Sequence, residues 1–276
     1  VTWVKAQTVG NTGIIRDVDP DVLTPDAWSS GQNIRFNAAA ITPMPGWEQY
    51  FIPVQQPNRI YPIDHPVDPS YYWTYPSDTM VYAFDGTTHT DITPVGGLGF
   101  RVQWSGDYIN SNLVLSNGTN APMFWTLDPA SPLVPLIGLD TLESCRIIAS
   151  HRGFLIAMDT VEGDIRRPYR FKWSDQAQTG IPDTWDPIGS LAGSVDLGDK
   201  STILVAVEPL RDHLIVYGDR QTFDVSFIGG DLVWRFDPLF PSVGCLSAQG
   251  VAEFEGKHIV LTDGDVMVHN GHNIES

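Results

Sequence analysis

Short apolar runs broken by turn residues recur along most of this chain, and the clearest lies near its end. In HIVLTDGDVMVHNG (258–271), Ile259, Val260 and Leu261 form one β-rich run and Val266, Met267 and Val268 begin another. Asp263-Gly264 separates them and Asn270-Gly271 follows, which is a hairpin pattern. The same order recurs upstream. AEFEGKHIVLTDG (252–264) lies without gaps over VEPLRDHLIVYGD (207–219), with Glu253 over Glu208 and His258 over His213. IIASHRGFLIAMD (147–159) fits that frame, and GDYINSNLVLSNG (106–118) and TYPSDTMVYAFDG (74–86) follow it more loosely. The copies start at 74, 106, 147, 207 and 252, giving intervals of 32, 41, 60 and 45 residues. These bracket the roughly 40 to 50 residues of a four-stranded propeller blade, with an insertion in the longest. Apolar trios before glycine turns occur in any all-β protein, so the last two copies, which overlie one another position by position without gaps, carry most of the weight. The pattern predicts an all-β chain with a β-propeller-like body of at least five blade-like repeats.

The first 57 residues fall outside the repeat, so an N-terminal arm and β-hairpin are expected over 1–57 and the repeats over 58–276. Thr24-Pro25 carries the residue types that cap and start a one-turn helix through Trp28. Asn33–Phe36 and the piece from Ile41 to Phe51 read as extended. Asp140 with Glu143 has the form of a capping box, but β-branched Ile147 and Ile148 and the repeat frame favour a strand there. The start at Val1 and the stop at Ser276 suggest a trimmed or partial chain.

Composition narrows the function. Against 33 acidic residues stand 16 basic ones, a formal charge of −17. That disfavours gripping of phosphate backbones, which needs a basic footprint. It remains compatible with an acidic wall past which a duplex slides. Cys145 and Cys245 form no disulfide framework and read as free, buried thiols. No apolar run approaches the ~20 residues of a membrane-spanning helix.

Candidate chemistry is thin. Asp17, Asp19 and Asp21 have calcium-loop spacing, but Val22 stands where glycine turns the loop and Trp28 where a bidentate glutamate belongs. His269 and His272 flank Asn270-Gly271 without a third ligand nearby and read as turn histidines. His213 and His258, aligned in the repeat, read as architectural. The segment KWSDQAQTGIPDTW (172–185) loosely resembles an Asp-box, with too long a gap from Asp175 to Trp185. Arg166, Arg167 and Arg170 form the one dense arginine group, with Arg152 in a separate repeat. No P-loop, nucleophile elbow or dinucleotide fingerprint is present, GGLG (96–99) being a flexible connection. No catalytic, cofactor-binding or metal-ligating residue is therefore predicted, and the chain reads as a non-enzyme.

Several stretches taken together resemble one family: NIRF (33–36) with Pro45-Gly46-Trp47, FKWSD (171–175) with Trp185, LIVYGDRQTFDVSFIGG (214–230), SVGCLSAQGVAEFEGKHIVLTDGDVMVHNG (242–271) and Ile274. They are similar to the tail hub or nozzle proteins of short-tailed bacteriophages, also called packaged-DNA stabilisation or tail tubular proteins. The resemblance implies a virion part assembled in the host cytoplasm. It implies a homo-hexameric ring below the portal and adaptor that meets tail fibre or needle proteins and retains, then conducts, double-stranded DNA. Tyr217–Thr222 would be a blade turn, Ser242–Gly250 the crossing between the last two blades, and the 159–207 interval the place of an inserted tip loop. The alternative is a receptor- or glycan-binding propeller, and behind it a propeller glycoside hydrolase. Nine tryptophans and nine tyrosines could stack on sugars, although Trp73, Trp104, Trp125 and Trp234 lie in or beside strands, where core packing is the default.

Overall fold

The computed structural model describes residues 12–24, 26–37, 40–44, 46, 48–64, 71–101, 103–230 and 232–275. The chain divides into two compact units, one ending at Ile52 and one beginning at Pro53. The division precedes the expected boundary at 57.

In the first unit, β1 (Gly13–Ile14) pairs in parallel with β2 (Ala27–Trp28), and β3 (Ile34–Asn37) pairs antiparallel with β4 (Ala40–Pro43). The expected helix after Thr24 is absent: Ala27 and Trp28 are extended, and Pro25 lies outside the described residues. A single 3-10 turn stands earlier, at Pro20–Val22, where the Asp19 carboxylate accepts the Asp21 amide at 3.1 Å. Asp19-Pro20 and Thr24-Pro25 carry the same cap-then-proline pattern, and the former is the one used. The extended piece foreseen to Phe51 stops as a strand at Pro43.

Among the described residues, the second unit holds five four-stranded antiparallel meanders in chain order. Sheet 1 holds β5 (Tyr61–Asp64), β6 (Tyr71–Pro76), β7 (Val81–Phe84) and β8 (His89–Asp91). Sheet 2 holds β9 (Ser105–Ile109), β10 (Asn112–Ser116), β11 (Met123–Trp125) and β12 (Val134–Pro135). Sheet 3 holds β13 (Leu142–His151), β14 (Phe154–Glu162), β15 (Ile165–Trp173) and β16 (Gly193–Asp196). Sheet 4 holds β17 (Leu204–Leu210), β18 (His213–Gly218), β19 (Thr222–Phe227) and β20 (Trp234–Phe240). Sheet 5 holds β21 (Val251–Phe254), β22 (Lys257–Leu261), β23 (Val266–His269) and β24 (Ile274–Glu275). The first strand of each of sheets 2, 3 and 4 packs beside the first strand of the next. The body is β-propeller-like.

Each sheet has two faces to bury, and the apolar residues divide accordingly. Leu113 and Leu115 pack with Tyr61, Ile63 and Ala83 between sheets 1 and 2. Val114 packs with Cys145, Leu155 and Ala157 between sheets 2 and 3. Phe154, Ile156 and Met158 meet Leu214, Val216 and Phe223 between sheets 3 and 4. Ile215 and Tyr217 meet Cys245 and Val260 between sheets 4 and 5. Of the four tryptophans weighed as sugar platforms, Trp104, Trp125 and Trp234 are core.

Two features of the repeat are corrected by these pairings. The copy at 74 spans β6 and β7, whereas the other four span the first two strands of their sheets, so it is one strand late. Consecutive hairpins of a meander look alike in sequence. The copies at 207 and 252 are also out of step by one residue. The first hairpins close at Ile109↔Asn112, His151↔Phe154, Leu210↔His213 and Phe254↔Lys257. The first loop residue is left-handed in all four, at Asn110, Arg152, Arg211 and Glu255, as two-residue hairpins require. Anchored there, His213 matches Lys257 and Leu214 matches His258. A slip of one residue turns a side chain to the opposite face, and His258 is indeed buried where His213 is exposed.

The long interval before 207 holds an excursion between β15 and β16, residues 174–192. It folds back as a staple: Trp185 is buried among Ile109, Leu136, Ile148 and Leu155, and its amide donates to the Gly138 carbonyl at 2.8 Å.

Candidate functional site

The first strands of sheets 2, 3 and 4 surround a cavity of about 360 Å³, reached also by Arg59 ahead of sheet 1 and Ala248 ahead of sheet 5. Counted back from the hairpin loop, Asp107 on β9 and Glu208 on β17 hold the same position, and both line it. Ala149 and Ala252 are their counterparts on β13 and β21. Burial raises the Asp107 carboxyl above the usual carboxylate range, against amide bonds from Ser150 and Tyr108 and the Arg59 charge. Burial likewise raises Glu208, with Arg59 opposing and the Asp107 charge adding.

Asp107 accepts the Tyr108 amide on one oxygen and the Ser150 amide on the other, each at 2.7 Å. It therefore braces β9 against β13, beside Ser105, which bonds both the carbonyl and the amide of Ile148 at 3.1 Å. With both oxygens committed, Asp107 is poorly placed to act as a nucleophile or base. Among the described residues, Gln103 Nε2 and His151 Nε2, on lining residues, are buried nitrogens with no hydrogen-bond partner. The cavity can hold small polar species.

Sequence reasoning passed over Asp107 and Glu208. Their signal was readable only with the hairpin loops as anchor, because the gap-free frame set Glu253 over Glu208. Glu253 instead accepts the Gly256 amide at 2.8 Å.

Two of the three clustered arginines, Arg166 and Arg170, are taken up by carboxylates, whereas among the described residues Arg167 stands in no ion pair and its buried Nε finds no hydrogen-bond partner. Arg166 binds Asp159 in bidentate fashion, both contacts at 2.7 Å, and Arg146 approaches Asp159 at 3.5 Å. Arg170 pairs with Asp196 at 2.7 Å, and Lys172 with Asp140 at 3.1 Å. Asp159 is 2% exposed and sits where the β14–β15 register shifts.

The histidines regroup. His269 is a buried strand residue rather than a turn histidine, and its partner is His258, with His272 exposed. The Tyr217 hydroxyl lies 2.7 Å from His258 Nδ1 and 2.6 Å from His269 Nε2. His258 Nε2 faces the Pro209 carbonyl at 2.9 Å, and the Gly271 amide donates to His269 Nδ1 at 3.2 Å. These end partners set the direction. His269 Nε2–H donates to Tyr217, Tyr217 donates to His258 Nδ1, and His258 Nε2–H donates to Pro209. Every member is satisfied with both rings neutral. Burial holds His258 below its ordinary range and, with neighbouring His258, brings His269 down to about 4.

Cys145 and Cys245 are free and buried, burial pushing Cys145 up to about 12. Among the described residues no group of three or more His, Cys, Asp or Glu could hold a metal ion, and no helix is long and apolar enough to cross a membrane. The Asp17–Asp21 carboxylates belong to the loop and turn around Pro20.

No protein-family model matches the chain, and no curated protein matches it. Among solved structures it is similar to the extracellular domain of the hybrid two component system BT4673 from B. thetaiotaomicron. The TM-score is 0.53 at 13% identity, over 83% of this chain and 29% of that one. This chain thus spans under a third of that domain's length. The BBS1N protein in complex with ARL6DN aligns at TM-score 0.46 and 13% identity, over 79% of this chain and 64% of that chain. At such identities the likeness to BT4673 concerns the fold alone.

Proposed function

We propose that this chain is a structural, non-enzymatic part of a bacteriophage tail, one subunit of a ring below the portal and adaptor that retains and then conducts the genome. The observation that carries the reading is the disposition of charge. Of the 16 basic side chains, Arg101, Arg146, Arg152, Arg166, Arg170, Lys172, Arg220 and Arg235 stand in ion pairs with carboxylates. The remaining eight basic side chains are far outnumbered by the remaining carboxylates of the 33, and that surplus of acid repels phosphate at close range. The resemblance in NIRF, FKWSD and the 214–271 stretches points the same way. So does the commitment of Asp107, Asp159, His258 and His269 to bracing sheets.

Imaging of intact virions with the chain labelled tests the reading. A ring of copies, six by the family resemblance, is expected at the head-to-tail junction with an acidic channel face. Localisation elsewhere, or a basic or apolar channel, would sink it.

One observation favours the alternative of a glycan- or receptor-binding propeller. Tyr71, Trp73 and Tyr108 line an open cleft of about 610 Å³ with Pro62, Ile63, Ser111 and Leu127. Aromatic faces beside a few polar groups suit sugar rings. Glycan binding by the isolated chain that is lost in Trp73→Ala would favour it.

A further inference from the structure

The apolar core shared by sheets 4 and 5 is the smaller of the two in which sheet 4 takes part. Among the described residues it has six buried side chains, Tyr217 and Cys245 among them, against fourteen in the core of sheets 3 and 4. The relay of Tyr217, His258 and His269 is set into that small core, with His258 0% exposed, His269 2%, and their rings 5.3 Å apart. Tyr217 belongs to sheet 4 and both histidines to sheet 5, and His258 also reaches Pro209 on β17, so the relay bonds one sheet to the other. A second tie lies at the exposed loops, where the Arg211 guanidinium donates to the Asn270 and Gly256 carbonyls.

The relay closes only while both rings are neutral. Its accepting nitrogens are His258 Nδ1, which accepts from the Tyr217 hydroxyl, and His269 Nδ1, which accepts from the Gly271 amide. A proton added to His258 Nδ1 faces the Tyr217 hydrogen, which cannot turn to His269 because Nε2 there is already a donor. A proton added to His269 Nδ1 faces the Gly271 N–H. Either one sets donor against donor in a site closed to solvent.

The surrounding groups offer an imidazolium little. Glu253, cross-strand from His258 on β21, is the carboxylate whose charge favours protonation of that ring, and it is exposed and bonded to the Gly256 amide. On the Tyr217 face of sheet 4, His213 and Asp224 bind each other at 2.6 Å, and Glu208 and Cys245 lie within electrostatic reach of Tyr217. Lys257 and Glu275 stand on the other face of sheet 5 by register, and the Phe240 ring packs against His269.

We propose that this relay is an acid-sensitive latch, which docks sheet 5 on sheet 4 while both rings are neutral and releases it, uncovering Cys245, when they take up protons. Once the sheet has opened, each ring titrates near ~6.5, whereas in the closed sheet burial and the neighbouring His258 ring bring His269 down to about 4. The latch is therefore at full strength above pH ~6.5 and is lost as pH falls through about 4. Opening of one sheet ahead of the whole fold is a local event, and the two thiols report it separately. Cys245 lies in the core of sheets 4 and 5, and Cys145 in that of sheets 2 and 3.

The test is reaction of both thiols of the purified chain with 4,4′-dithiodipyridine, which reacts in acid. Each rate is taken relative to the urea-unfolded chain at the same pH, and each site is read by peptide mass. Between pH 7.5 and pH 5 the protection of Cys245 is expected to fall roughly thirtyfold from the His269 proton alone, while Cys145 stays protected. His269→Gln, which cannot take up that proton, should flatten the change, and His213→Gln and His272→Gln, at exposed positions, should leave it intact. Should His269→Gln fail to fold, His258→Gln replaces it. Constant protection of Cys245, parallel loss at both thiols, or a change that survives His269→Gln or disappears in His213→Gln or His272→Gln would each overturn the latch.

Discussion

Tyr217 shows what one hydroxyl can hold. Phenylalanine in its place leaves His258 Nδ1 without a donor and His269 Nε2 without an acceptor, both buried, and is expected to cost about 2 kcal/mol in urea unfolding. The same relay sets a pH dependence. Both histidines titrate below their ordinary values when folded and near ~6.5 when unfolded. The unfolded chain therefore binds more protons at acid pH. Their stabilising contribution is complete above pH ~6.5, declines below it and is lost as pH falls through about 4, at up to ~1.4 kcal/mol per pH unit for each ring. Unfolding midpoints measured from pH 8 to 4.5 check the sign; a midpoint that rises on acidification would refute the assignment of neutral rings. Asp159→Ala leaves Arg166 and Arg146, both partly exposed, without their shared carboxylate and is expected to cost about 2 kcal/mol, again by urea unfolding. None of this was legible in the sequence. His213 and His258 aligned there as equals, and the hairpin register together with the long-range approach of Tyr217 tells them apart.

At the scale of elements, local signals succeeded where they were redundant and failed where two sites carried the same one. Apolar runs between turn residues marked the hairpins of the body, and β-branched Ile147 and Ile148 correctly outweighed the capping pattern at Asp140. Asp19-Pro20 and Thr24-Pro25 were indistinguishable as caps. The 174–192 excursion showed as a long interval, a loose Asp-box likeness at 172–185 and a place for an inserted loop, but not as a staple, since that role depends on Trp185 reaching a core built by sheets 2 and 3. Trp185→Ala is expected to cost about 4 kcal/mol and to open 174–192 to limited proteolysis. A variant that resists protease as well as wild type would deny the staple. Gly138 adds a second check. Its φ is +65° and an added Cβ would lie 2.2 Å from the Asp183 carbonyl oxygen, so Gly138→Ala should loosen the same segment, read as a lower unfolding midpoint.

Across the whole molecule, stability follows the order of the sheets. Among the described residues, sheets 3 and 4 each share apolar cores with two neighbouring sheets, whereas sheet 5 shares one, with sheet 4. Amide exchange is therefore expected to be slowest in β14 and β18 and faster in β22 and β23; equal protection throughout would contradict a series held by nearest neighbours. The sequence by itself determined the all-β class, the recurrence of hairpins and the acidic balance, because strand alternation, turn residues and charge are local or additive properties. Only the tertiary structure decided which face each residue takes, since a one-residue slip leaves the local pattern intact and exchanges core for solvent. It also brought Asp107 to Glu208, Tyr217 to two histidines and Trp185 to a distant core, through contacts across tens of residues that no local pattern encodes.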